Sequence, residues 1–137
     1  VIMSDTKAKA LGLTPLARIV ATGVSGLSPE IMGLGPIEAV KNALGYAKMS
    51  VSDIDLFEIN EAFAVQVLGS ARALGIDEDK LNVSGGAIAL GHPFGMTGAR
   101  ITATLLNNLA THDKTFGVET MCVGGGQGMA MVVERLS

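Results

Sequence analysis

Residues 55–75, DLFEINEAFAVQVLGSARALG, join an apolar strand to an amphipathic helix without a linker. The first five residues have the length and composition of a buried strand. The apolar residues after them recur at helical spacing until Gly75, a residue type that commonly ends a helix. The predicted apolar stripe consists of Phe63, Val67, Leu68, Ala71 and Leu74. A strand that runs directly into a helix is the repeating unit of layered α/β folds, so this stretch predicts the fold class.

The rest of the pattern predicts four more strands, at residues 18–24, 82–84, 116–123 and 129–134. Helices are predicted over residues 4–10, after Pro36, and over residues 97–110. The glycine-rich residues 124–128 make a loop short enough for a hairpin, so the last two strands should be antiparallel. We therefore expect an α/β fold whose mixed, mainly parallel five-stranded sheet has helices on both faces and ends in that hairpin.

The composition indicates one domain over residues 1–137. Hydrophobic residues make up 48% of the chain against 17% charged and 4% aromatic residues, which suits a tightly packed aliphatic core. The net charge of −3 and the lack of a basic run argue against nucleic-acid binding. No apolar run reaches the roughly 18 to 20 residues that cross a bilayer, and the C-terminal Arg-Leu-Ser is no peroxisomal address. We expect a soluble, cytoplasmic protein without a membrane partner.

The chain opens on the apolar run VIM rather than on an initiator methionine, so we expect a piece of a longer protein, truncated at its N-terminus. The only cysteine, Cys122, excludes an internal disulfide. One cysteine with His92 and His112 is too few for a structural zinc cluster, so no metal is expected.

Three loops carry polar residues that an aliphatic core does not require. They are NEAF at residues 60–63, GHP at 91–93 and CVGGG at 122–126. In open α/β sheets, loops at the carboxyl ends of strands are where sites form. We therefore expect the three loops to converge.

His92 lies among glycines and a proline at the head of a predicted helix. The residue before a proline is held in extended backbone, and Pro93 suits a helix start, so the imidazole should lie near a helix N-terminus. That position disfavours the imidazolium and leaves a neutral ring able to donate to a developing oxyanion. The alternative is a buried histidine that bonds a backbone carbonyl, and the spacing alone does not separate the two.

Cys122 ends a predicted strand beside a loop of glycine N–H groups. Backbone dipoles or an adjacent histidine can raise the thiolate fraction of such a cysteine, whereas a lone cysteine in an apolar strand is commonly a small core residue. The glycine loop lacks the following helix of a dinucleotide fingerprint and the Gly-Lys-Ser/Thr of a phosphate loop. Its glycines favour either close backbone approach to a ligand or a tight hairpin.

Four polar residues near these loops have common structural uses. Asn60 can cap the following helix or fix a water or ligand, and Glu61 gains from the helix dipole, so we assign Glu61 no chemistry. Arg100 is interpreted as a structural residue. His112 is interpreted as a solvated residue at the far end of its helix.

Together the motifs resemble the C-terminal half of a thiolase, an acetyl-CoA acetyltransferase or 3-ketoacyl-CoA thiolase. They are NEAF at residues 60–63, GHPFGMTGAR at 91–100 and CVGGGQG at 122–128, in this order and spacing. The resemblance covers essentially the whole chain. It implies reversible Claisen condensation of acyl-CoA thioesters or thiolytic cleavage of 3-ketoacyl-CoA, with the coenzyme A thioester as substrate and no further cofactor.

The resemblance also implies roles for single residues. Cys122 resembles the acid/base cysteine that takes the acetyl α-proton in condensation or protonates the leaving carbanion in cleavage. His92 resembles the donor to the thioester enolate oxygen, aided by a water that Asn60 would hold. Gly124 resembles the backbone donor of a second oxyanion hole. Two residues resemble walls of the acyl pocket: Met32 and Phe63.

One departure limits what the chain can do alone. Family thiolases acylate a second cysteine in the N-terminal half, which also holds the loop over coenzyme A, whereas this chain has only Cys122. We expect the partners to be acyl-CoA, coenzyme A and a missing N-terminal domain, in a homodimer or homotetramer at full length. The isolated chain should be inactive.

Two other classes remain open. A thiolase-like lipid or acyl-CoA binding protein would keep the fold and lose turnover, but a carrier has no need of Asn60, His92 and Cys122 together. A ketoacyl synthase resembles thiolases in fold but typically has a histidine where Asn60 stands.

Overall fold

A four-stranded mixed sheet lies at the centre of the computed structural model, which describes the whole chain from Val1 to Ser137. The strands are β1 (Ala17–Gly26), β2 (Leu56–Ile59), β3 (Phe116–Val123) and β4 (Gln127–Arg135). Their order across the sheet is β1-β4-β3-β2, so the last strand in the chain is an interior strand. β4 pairs antiparallel with both of its neighbours, and β2 joins β3 in parallel.

The α-helices are α1 (Asp5–Ala10), α2 (Gly35–Ala47), α3 (Ala64–Leu74), α4 (Ala87–Leu90) and α5 (Thr97–Thr111). Side chains of β2 alternate between two apolar clusters. Phe57 and Ile59 join α2 and α3 on one face, and Leu56 joins Leu105 and Leu109 of α5 on the other. A period of two is what a strand covered on both faces requires. None of the helices is long and apolar enough to cross a membrane.

The α/β class, the helices on both faces and the terminal hairpin are confirmed, but the prediction of a mainly parallel, five-stranded sheet was wrong. Residues 82–84 form no strand, and Leu81 makes only an isolated parallel bridge to Phe57. The reason is the Asn82 side chain, which accepts from the Ile59 N–H at 2.8 Å and donates to the Ile59 carbonyl at 2.9 Å. The Asn82 side chain thus makes the two hydrogen bonds to Ile59 that a neighbouring strand would make. The backbone of Asn82 turns away from the sheet direction, with a φ of 47°.

α3 begins later than predicted because residues 60–63 form a loop. The Glu61 carboxylate accepts from the Asn82 side chain and from the Ile88 N–H, both at 3.0 Å, and these bonds hold the loop in place. Phe63 is the N-cap of α3 and is 70% exposed, so it is no part of a buried stripe. Of the predicted stripe, the structure buries Val67 and Ala71.

Candidate functional site

The carboxyl ends of the parallel strands β2 and β3 bring two of the motifs together. Asn60 follows β2, and its N–H donates to the Thr120 carbonyl of β3 at 3.0 Å. Cys122 comes two residues after Thr120, which is about 7 Å further along strand β3. Adjacent carboxyl ends of parallel strands are the place where α/β sheets form sites.

The third motif reaches this edge through the side chains of Asn60 and His92. The Asn60 amide nitrogen lies 3.4 Å from each nitrogen of the imidazole ring. Asn60 is fully buried and His92 is partly buried. The structure therefore brings the NEAF and GHP loops into contact, and the CVGGG loop begins at the end of β3, the strand to which the Asn60 backbone bonds.

Thr97 contacts the His92 ring on its Nδ1 side. Gly91 precedes the histidine with a φ of 92°, a backbone conformation that favours glycine, and a turn at Pro93 leads into α5. Imidazole Nδ1 lies 2.6 Å from the Thr97 hydroxyl, which also donates to the Pro93 carbonyl at 3.1 Å. The ring thus lies beside the first residue of α5. From the sequence, no role is predicted for Thr97, because a threonine at a helix start is commonly a capping residue and its contact with His92 has no local pattern.

The Thr97 hydroxyl can serve either neutral tautomer of His92. In one tautomer, the Thr97 hydroxyl donates to the Pro93 carbonyl and its oxygen accepts from the Nδ1–H of His92. Nε2 of the ring then carries a lone pair. In the other tautomer, the Thr97 hydroxyl donates to Nδ1. The proton of the ring then lies on Nε2, from which it can be donated to a ligand oxygen. The hydroxyl therefore lets the ring change from acceptor to donor at Nε2 without moving.

A buried ion pair holds the other end of the Asn60 amide. Glu58 Oε1 accepts from Arg100 Nη1 at 2.9 Å, and Arg100 Nη2 donates to Asn60 Oδ1 at 3.3 Å. Burial raises the pKa of Glu58 to about 7, although the Arg100 guanidinium opposes the shift. The interpretation of Arg100 as structural agrees with this pair. Sequence reasoning missed Glu58, whose one signal was a charged residue inside an apolar strand.

Cys122 is buried near the end of β3, and burial raises the pKa of its thiol. The neutral thiol is therefore favoured, rather than the enhanced thiolate fraction that nearby dipoles can produce. A thiol that keeps its proton is a proton donor at rest, and it becomes a base only when its surroundings stabilise the thiolate.

Residues 124–126 form the turn between β3 and β4. Gly126 has a φ of 89° and accepts from the Leu27 N–H at 2.8 Å, and a Cβ there would overlap the Leu27 carbonyl oxygen. Gly124 is exposed, and a Cβ added to it would meet no atom within 4 Å. The turn is thus held in place by the close packing of Gly126, whereas the space beside Gly124 is open to a ligand.

Met32 and Phe63, the predicted pocket-wall residues, lie on neighbouring segments. Met32 belongs to the 3-10 turn Pro29–Leu34, which packs through Gly33 near the Gln66 side chain of α3. Both side chains reach the surface, with exposed fractions of 36% for Met32 and 70% for Phe63. Contact with an acyl chain stays a prediction for both residues.

The chain matches the family model of the thiolase C-terminal domain over residues 13–135. It is 55% identical to the acetyl-CoA acetyltransferase of Escherichia coli strain K12 over 100% of the chain and 35% of that relative. It is 52% identical to a 3-ketoacyl-CoA thiolase of Bacillus subtilis strain 168 over 97% of the chain and 34% of that relative. The chain therefore spans about a third of the length of these relatives.

Solved structures have the same fold. The crystal structure of the Bacillus anthracis acetyl-CoA acetyltransferase matches with a TM-score of 0.95 at 48% identity, covering 98% of this chain and 34% of that one. The human mitochondrial 3-ketoacyl-CoA thiolase in complex with CoA matches with the same values. The fold and the family model together define a thiolase C-terminal domain. This chain belongs to the thiolase family, and the resemblance predicted from its motifs is confirmed.

Proposed function

We propose that this chain is the C-terminal catalytic part of an acyl-CoA C-acyltransferase, which cleaves 3-ketoacyl-CoA with coenzyme A or runs the reverse Claisen condensation. The observation that carries the proposal is the meeting of Asn60 and His92 beside the end of β3, which bears Cys122. Relatives named acetyl-CoA acetyltransferase and 3-ketoacyl-CoA thiolase, each more than half identical, support it.

Each group at the site has a task in this reaction. In cleavage, the bond between C2 and C3 of the 3-ketoacyl group breaks, and its electron pair stays on C2 as the acetyl-CoA enolate. The Cys122 thiol donates its proton to C2, a role that suits a thiol whose pKa is raised by burial. His92 and a water held by Asn60 donate to the enolate oxygen. The C3 acyl group passes to the nucleophilic cysteine of the N-terminal half, and coenzyme A then releases it.

The Gly124 N–H is the donor that we propose for the second oxyanion, formed when the acyl group leaves the nucleophilic cysteine. Its support is the open space beside Gly124. Met32 and Phe63, whose side chains both reach the surface, are proposed to face the acyl chain.

The test is a hybrid protein, in which this chain replaces the matching C-terminal segment of the E. coli acetyl-CoA acetyltransferase. We expect the hybrid to catalyse acetoacetyl-CoA thiolysis and the isolated chain to be inactive. Cys122→Ala or His92→Ala should lower kcat by about a hundredfold or more, because each removes a proton donor or an oxyanion donor. His112→Ala is the matched control, since His112 is exposed at the end of α5, as predicted.

Robust turnover by the isolated chain would contradict this proposal, and so would a hybrid that stays active without Cys122. A folded hybrid that binds acyl-CoA without turnover would favour the alternative of a thiolase-like acyl-CoA binding protein.

The complete protein is further proposed to be a cytoplasmic homo-oligomer. Cys122 is a free cysteine, and an acid/base thiol has to stay reduced, as it does in a reducing compartment. Val65 and Phe94, 79% and 92% exposed, suit coverage by further domains or subunits. Cell fractionation and light scattering test the two statements, and a secreted protein or a monomeric mass would contradict them.

A further inference from the structure

The Glu58–Arg100 ion pair lies next to the proposed site without touching the part of it that faces ligand. The Glu58 side chain is 1% exposed and the Arg100 side chain 11% exposed. The guanidinium divides its contacts, since Nη1 donates to Glu58 Oε1 and Nη2 donates to Asn60 Oδ1. The pair therefore connects a residue inside β2 to the residue that follows this strand.

This contact determines which way the Asn60 amide points. A guanidinium only donates hydrogen bonds, so the amide atom that faces Arg100 has to be the oxygen. The NH₂ group of Asn60 is then directed at the imidazole of His92, at 3.4 Å from either ring nitrogen. A rotated amide would place its NH₂ group against the guanidinium and its oxygen against the ring.

We propose that Arg100, anchored by Glu58, is a positioning residue that keeps the Asn60 NH₂ group beside His92, so that two donors converge on one ligand oxygen. The inference rests on the proposed function and names a residue that acts through Asn60. It also assigns the buried charge of Glu58 a task. A carboxylate inside the domain is costly unless paired, and here its partner is the cation that orients the amide.

The planar fork of arginine is essential to this arrangement. Two nitrogens of one guanidinium reach Glu58 and Asn60 at once, whereas the single ammonium of a lysine can keep the ion pair but does not span both acceptors. Arg100→Lys therefore separates the two tasks. It should keep the charge beside Glu58 and release the Asn60 amide.

The primary experiment is ¹⁵N NMR of the histidine rings in this chain, whose only other histidine, the exposed His112, is an internal reference. Asn60→Asp is the comparison variant, because its carboxylate presents an acceptor to the ring as a rotated amide would. Arg72→Lys, on the exposed side of α3, is the matched control. Backbone spectra establish that each variant is folded.

We expect Arg100→Lys to move the His92 ring signals in the same direction as Asn60→Asp, toward protonated nitrogen, while those of His112 stay in place. Arg72→Lys should leave both histidines unchanged. A folded Arg100→Lys chain with wild-type His92 signals would overturn the proposal. If Arg100→Lys does not fold, Glu58→Gln, which keeps an acceptor and removes the anchoring charge, is expected to move the signals the same way, and unchanged signals would again overturn it.

Kinetics of the hybrid provide a second measurement. Arg100→Lys should lower kcat about tenfold to a hundredfold with KM within about threefold, since a misplaced donor affects the transition state more than binding. Equal kcat values in the Arg100→Lys and Arg72→Lys hybrids would contradict the proposal. An inactive wild-type hybrid with the expected NMR changes would contradict the proposed function and leave the positioning intact.

Discussion

At the scale of single residues, the contact of the Thr97 hydroxyl with the His92 ring can be tested by substitution. Thr97→Val keeps the shape of the side chain and removes its bonds to His92 and to the Pro93 carbonyl. We expect the free energy of unfolding to fall by about 1–2 kcal/mol. In the hybrid, kcat should fall about tenfold, because Nδ1 loses the partner that orients the ring. Thr111→Val, at the exposed end of α5, is the control for denaturation and kinetics, and a folded Thr97→Val hybrid with full kcat would exclude this role.

Glu119 is a second buried carboxyl group under α5. It stands opposite Glu58 in the register of β3 and β2 and is 7% exposed, and one of its oxygens has no hydrogen-bond partner. Burial raises its pKa from 4.5 to about 7. The folded chain therefore retains a proton that the unfolded chain loses above pH 4.5, so this group favours folding most below pH 4.5 and progressively less as the pH rises to about 7.

Glu119→Gln keeps the shape of this side chain and removes its charge. We expect the variant to gain about 1–3 kcal/mol in the free energy of unfolding at roughly pH 8 and to lose less stability between about pH 4.5 and 7. Urea unfolding across this pH range measures both effects. Glu78→Gln, at an exposed position, is the control. A Glu119→Gln chain that is less stable than the wild type at the upper pH would refute the expected sign.

The sequence predicts Asn60, His92 and Cys122 as site residues because each belongs to a recognisable motif. It does not identify Glu58 or Thr97, because a side-chain contact leaves no local pattern. The Glu58–Arg100 bond joins positions 42 residues apart, and nothing near either residue indicates the other.

At the scale of elements, β1 and α2 approach each other through glycine. A Cβ on Gly23 would overlap the Ala39 carbonyl oxygen and the Ala43 nitrogen, whereas a Cβ on Gly45 of α2 would meet nothing within 4 Å. We expect Gly23→Ala to cost about 2–3 kcal/mol of folding stability and Gly45→Ala to add about 0.5–1 kcal/mol. Denaturant unfolding of the two variants compares them directly. Equal effects would show that close packing at Gly23 is not what stabilises this contact.

The elements that sequence predicts well are those with local signals. Pro36 near the start of α2, Gly75 after α3 and the glycine turn before β4 mark their boundaries within a few residues. Whether a strand pairs parallel or antiparallel with its neighbour has no such local signal. The pairing of β1 with β4 joins Ala17 to Arg135, and residues 18–24 would look the same in a parallel sheet.

At the scale of the whole molecule, the motifs predict the family, and the alignments confirm it over nearly all of the chain. The proposed catalytic acid and oxyanion donors lie at one edge of this domain. The proposed reaction also needs a nucleophilic cysteine, which we expect outside this chain because Cys122 is its only cysteine. The hybrid protein is therefore the assay in which the site can be judged.

The interior place of β4 also affects how the protein is made. Since β4 separates β1 from β3, neither strand finds this partner until every other element of the chain has been synthesised. During synthesis, β1 therefore has no strand partner until β4 emerges, and β3 can pair only with β2. The sheet is therefore completed only after residues 127–135 have been synthesised, and chaperones that shield strand edges can bind β1 until then.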